Sequence, residues 1–109
     1  MAVSRFTLVQ NPDGYQTFLR SAPGYIDARS LAATTNETVT IPTGATKVIF
    51  SANGDFYVNP NSGTAAVPGD VTDGSASEMN PAGYADLTPG GTFGIIAPAA
   101  TVVTLAFYA

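Results

Sequence analysis

The sequence contains no cysteine and no histidine. The first absence removes a disulfide framework, a thiolate nucleophile and thiolate metal ligands. The second removes the commonest transition-metal ligand and the commonest general base near neutral pH. Tryptophan, a broad platform for a sugar ring, is missing too. Charge is scarce: charged residues make up 11% of the chain, against about 25% in an ordinary soluble domain. No apolar run approaches the ~20 residues needed to span a bilayer. The opening "MAVSRFTLVQNPDG" lacks the hydrophobic region of a signal peptide, so a cytosolic product is expected. The sequon Asn36-Glu37-Thr38 is therefore set aside.

What is present favours strands. Eleven Gly, eight Pro and two Met, with few Leu, Glu, Lys or Gln, disfavour helices, because long unbranched side chains are those that keep rotamer freedom on a helix. Thr, Val, Ile, Phe and Tyr take their place. At 109 residues the chain is read as one domain, of a size that removes roughly 65% of its unfolded surface from water.

A net charge of −4 disfavours nucleic acid as a partner, since binding there needs clustered Lys or Arg to displace counterions. Arg5, Arg20, Arg29 and Lys47 are scattered. Residues 1–30 hold three Arg against Asp13 and Asp27, whereas residues 31–109 hold one Lys against six acids. That polarity would suit an N-terminal part laid on an acidic neighbour.

"VSRFTLVQ", residues 3–10, puts Phe6 and Leu8 on one face and Val3, Arg5, Thr7 and Val9 on the other, as in a short strand or an extended arm ended by "NPDG". The expected organisation is an arm over 1–14 and a single β domain over 15–109, with a short irregular element over 15–22 and a strand over 25–33. From residue 37 the alternation is clearer. Val39 and Ile41 precede a turn at "PTGA", Val48 and Phe50 point inward from a strand over 46–52, and Phe56 and Val58 follow Asn53-Gly54. That dipeptide is a strong hairpin signal, so a β-meander is expected here. The end, "TVVTLAFYA", sets Val103, Leu105 and Phe107 against Val102, Thr104, Ala106 and Tyr108, two apolar faces that suit a central strand or one covered by a neighbouring chain. Phe93 and Ile95 complete the expected core. Seven or eight short strands separated by Gly/Pro turns describe an all-β fold, an antiparallel β-sandwich or small jelly roll.

The chemistry-bearing residues crowd into "PGDVTDGSASEMNPAGY", residues 68–84. Asp70, Asp73 and Glu78 offer hard oxygen ligands, but their spacing does not follow the EF-hand order, so no metal site is expected. Asp55, Asp73, Glu78 and Asp86 could supply a carboxylate pair for glycoside cleavage, yet nothing marks a raised-pKa partner or a substrate cleft. An enzyme is not expected, and no cofactor is implied. The stretch reads as a long loop held by Asx-type hydrogen bonds, its tip touching a neighbour. Tyr15, Tyr25, Tyr57, Tyr84 and Tyr108 could form a binding surface, because Tyr offers large area and a hydroxyl at little entropic cost. Tyr57 is the best placed.

The order of "VTIPTGATKVIFSANGDFYVN", "GTAAVPGDVTDGSASEMNPAGY" and "IIAPAATVVTLAFYA" over residues 38–109 resembles small virion proteins of tailed bacteriophages. The resemblance implies a structural role in the virion: a capsid decoration or cement protein bound to the major capsid protein, self-associated as a dimer or trimer and made in the bacterial cytoplasm. Arg5, Phe6, Leu8, Tyr57, Asp70, Asp73, Glu78 and Tyr84 are the subunit-contact candidates. The alternative is a host-recognition or carbohydrate-binding module on a tail or head fibre.

Overall fold

The computed structural model describes residues 22–109. The arm over 1–14, with Arg5, Phe6 and Leu8, and most of the irregular element over 15–22 lie outside the described residues. Within them the chain is all-β with no helix. Eight strands run β1 (Tyr25–Leu31), β2 (Glu37–Thr40), β3 (Lys47–Ala52), β4 (Tyr57–Asn59), β5 (Glu78–Met79), β6 (Gly83–Tyr84), β7 (Thr92–Ile96) and β8 (Thr101–Tyr108).

They form two four-stranded antiparallel sheets. Sheet 1 has the order β1-β8-β3-β6 and sheet 2 the order β2-β7-β4-β5. The ladders pair first strand with last and work inward: β1 with β8, β2 with β7, β3 with β6, β4 with β5. One long hairpin has been rolled so that successive segments fall alternately in two facing sheets. That is a jelly roll, and β8–β3 and β7–β4 ladders stitch the roll shut.

All eleven residues expected in the core are buried between the sheets. Phe50 lies at its centre, with ring contacts to Phe56, Tyr84 and Phe93. Three further residues complete the cluster: Leu31, Ala45 and Ala97. The "PTGA" turn forms and is closed by Ala45 N donating to Pro42 O at 3.1 Å. β8 is central, between β1 and β3, as its two apolar faces require.

The meander does not form. β3 pairs with β8 and β6, and β4 with β7 and β5, so the chain changes sheets at Asn53-Gly54. A two-residue I′ hairpin needs positive φ at both residues, and neither Asn53 nor Gly54 has it. Asn53 instead grips the start of β8: its backbone N donates to Val102 O at 3.2 Å, and its Oδ1 accepts from Val102 N at 3.0 Å. The strand expected over 25–33 ends at Leu31, after which Ala33 makes an isolated bridge to Ala97.

Candidate functional site

The acidic stretch divides. Residues 68–77 are almost wholly exposed, whereas Glu78 belongs to β5 and Tyr84 to β6, so the long loop expected over 68–84 is in part strand. Asp73 Oδ1 accepts from Ser75 N at 3.1 Å and from Ser75 Oγ at 2.6 Å. This is the expected Asx-type turn. The Ser75 bonds hold the Asp73 carboxyl below its ordinary pKa, because they stabilise the ionised form. Asp70 sits on the same exposed loop. Among the described residues, no three acidic side chains gather where they could hold a metal ion.

Glu78 and Tyr84 lie on the inward side of their strands, Glu78 exposed at the edge and Tyr84 half-buried against the core. Glu78 is in register with buried Val58, and Tyr84 with buried Val48. Their strands are the edges of opposite sheets. The Tyr84 hydroxyl donates to Glu78 Oε1 at 2.6 Å, which ties sheet 1 to sheet 2 along that edge. Burial, and then the adjacent carboxylate, push the phenol above its ordinary pKa.

The other edge carries a matching link that the sequence did not disclose. Arg29 of β1 donates Nε and Nη2 to the two oxygens of Asp27, at 2.9 and 3.0 Å, and Nη1 to Glu37 of β2 at 3.0 Å. These hydrogen bonds to Asp27 are the main reason that the guanidinium is held above its usual pKa. A charge pair pointing inward from an edge strand also discourages another chain from pairing there.

The outer faces of the two sheets differ. Sheet 2 is roofed by its own loop after β4. Gly94 of β7 donates to Ser62 O at 2.8 Å, and a side chain at Gly94 would run into Ala65 N. Asn36 fastens the roof by accepting from Ala65 N at 2.7 Å and donating to Gly63 O at 3.3 Å, with Thr38 donating to Gly63 O at 2.7 Å. Tyr57, beside this roof on the outward side of β4, is half-buried, between Ile96 and Met79 in register.

Sheet 1 has no comparable roof among the described residues. Ile26, Ala106, Ile49 and Gly83 form one continuous row across its four strands. Ala28, Thr104 and Ser51 make the next row, and Ser30 and Val102 the next. Lys47 is the lone charge among these outward positions. Ile26 is 62% exposed, Val102 46% and Ile49 39%. Lys47 apart, these positions are apolar or small, and with Ile26, Ile49 and Val102 exposed the face is one where a partner would gain from desolvation.

No protein-family model, curated protein or solved structure matches this chain. The geometry of the site therefore carries the functional reading. No helix of the described residues is long and apolar enough to cross a membrane.

Proposed function

We propose that this protein is a structural component of a tailed-bacteriophage virion, a decoration or cement subunit that binds the lattice of the major capsid protein. The observation that carries the reading is the outer face of sheet 1, which presents Ile26, Ile49 and Val102 with almost no charge. Protein partners bury such faces, with apolar residues at the centre of the contact and polar ones at its rim. The jelly-roll topology supports the reading at the level of architecture, since capsid domains use it among other roles. The resemblance of residues 38–109 to small virion proteins supports it independently. In this reading the protein is made in the bacterial cytoplasm, joins the particle as a homo-oligomer and uses its N-terminal arm for attachment.

The test is reconstitution on capsids that lack the protein, reading occupancy and capsid heat resistance together. Wild-type protein is expected to bind and to raise heat resistance. Ile26→Asp, which places a charge on the exposed face without touching the core, and removal of residues 1–14 are each expected to lower occupancy. If wild type neither binds nor stabilises capsids, the reading fails.

A further inference from the structure

Asn53-Gly54, the dipeptide that carries the chain out of sheet 1, holds a side-chain amide in an unusual place. β3 ends with Ala52 in register with Val103 of β8, so Asn53 falls opposite Val102. A continuing antiparallel pair would exchange two main-chain bonds there. Asn53 donates its N–H to Val102 O at 3.2 Å, but the acceptor for Val102 N is the side-chain Oδ1, at 3.0 Å. The carboxamide stands in for the main-chain carbonyl of the missing pair.

We propose that Asn53 is a modification site, at which the folded protein deamidates without an enzyme. Gly54 N gives up its proton to hydroxide and attacks Asn53 Cγ. The Cγ–Nδ2 bond then breaks, and ammonia leaves with a proton from water, so that a succinimide ring closes. Water opens the ring at one of its two carbonyls. The product is aspartate at position 53, or an isoaspartate whose main chain runs through Cγ. The balance is an amide and water in, an acid and ammonia out.

Each reacting group is suited to its part. Asn53 and Gly54 are exposed, and Gly54 N makes no hydrogen bond among the described residues. Gly54 has no Cβ to shield that nitrogen. As Cγ becomes tetrahedral, negative charge gathers on Oδ1, where Val102 N–H is already in place to stabilise it. The leaving Nδ2 makes no hydrogen bond among the described residues.

The other described asparagines each lack a part. Asn59 and Asn80 precede Pro60 and Pro81, which have no N–H to attack with. Asn36 has its amide committed to Gly63 O and Ala65 N, and Asn61 precedes Ser62, whose side chain crowds the nitrogen. The similar pair Asp73-Gly74 is protected, because the bonds from Ser75 favour the carboxylate, which resists attack.

The consequence falls where the chain changes sheets. Either product adds a negative charge beside Val102, which is exposed on the outer face of sheet 1. Isoaspartate also lengthens the main chain by one carbon on the way to buried Phe56. The change is one-way, so the protein ages toward a charged corner on that face. Neither the chemistry nor its test depends on the virion reading.

The test holds purified full-length protein at mildly alkaline pH, below its melting temperature, and follows every asparagine by peptide mass spectrometry. Labelling with an isoaspartyl methyltransferase identifies the isoaspartate. Loss of the amide is expected at Asn53 before any other described asparagine, and faster as pH rises. Asn53→Gln, in which attack would close a larger and slower ring, is expected to show no loss at that position. In the isoaspartate fraction, hydrogen exchange at Val102 N–H is expected to quicken, while the far end of β8 is unchanged. The free peptide of residues 50–58 reports the reactivity of the segment without the fold. If the peptide reacts while Asn53 of the folded protein stays intact, the bond to Val102 holds the carboxamide away from Gly54 N, and the proposal is overturned. Earlier conversion of another described asparagine overturns it as well.

Discussion

Phe50 shows how one side chain can hold two sheets together. It projects from β3 into the space between them and meets Phe56 and Phe93 from the sheet 2 side and Tyr84 from its own sheet, with ring centroids 5.5 to 6.0 Å apart. Replacing it by Ala leaves a cavity that three aromatic neighbours cannot collapse into, and the expected cost is about 3–5 kcal/mol. Urea unfolding measures it, and a loss below about 1 kcal/mol would contradict the packing described. Tyr84 gives a pH-dependent signature. An unfolded tyrosine loses its proton near pH 10, whereas folded Tyr84 holds its proton to higher pH because of burial and Glu78. Below about pH 10 its contribution is fully present. Above that the unfolded chain binds fewer protons than the folded one, so stability falls as pH rises. Tyr84→Phe should show a shallower fall above pH 10 than wild type, the other tyrosines cancelling in the comparison, and identical slopes would remove Tyr84 from the account.

Among the elements, the roof over sheet 2 depends on a side chain that precedes β2. Asn36 satisfies both Ala65 N and Gly63 O, and Asn36→Ala leaves the backbone of buried Ala65 without that acceptor. The expected loss is about 1–3 kcal/mol, with faster hydrogen exchange at Gly94, whose N–H bonds into the roof, and unchanged exchange in β8. Unaltered exchange at Gly94 would show that the roof is held by other means. The strands themselves were legible wherever one face is apolar, as in β3, β7 and β8, because period-two alternation is what a sandwich imposes. Leu31 escaped notice since the inward positions before it on β1 are Asp27 and Arg29, a charge pair that makes the exposed Ile26 and Ala28 look like the core face. Sheet order was not legible from Asn53-Gly54. The dipeptide marks a reversal, but whether the next strand pairs with the last or crosses to the other sheet is decided by β8, which takes the place beside β3 that a hairpin partner would occupy. Similarly, Asn80 reads as a turn residue, yet it adopts φ 48° and exchanges two bonds with Phe56, accepting through Oδ1 at 3.0 Å and donating its N–H at 2.9 Å. Of the residues singled out for subunit contact, Glu78 and Tyr84 prove to be partners of each other across a sheet edge. That pairing depends on which strands become edges, and no local spacing encodes it.

For the molecule as a whole, the two closed edges and the roofed face leave the outer side of sheet 1 as the broad surface open to a partner among the described residues. Arg29 with Glu37 fastens one edge, and Tyr84 with Glu78 the other. Asp27, Arg29, Glu37 and Glu78 thus go into these links, and Lys47 is the lone charge at the outward positions of the widest apolar face, a composition that suits contact with protein. A lattice also multiplies weak contacts, because each bound copy raises the effective concentration of the next. The most direct measurement of the proposed role is imaging of intact particles alongside particles from which this protein has been deleted. The account predicts jelly-roll density on the capsid exterior at repeated lattice positions, with the outer side of sheet 1 turned toward the major capsid protein or a neighbouring copy, and loss of that density on deletion. Particles whose capsids are identical with and without the protein, or density confined to the tail or its fibres, would contradict it.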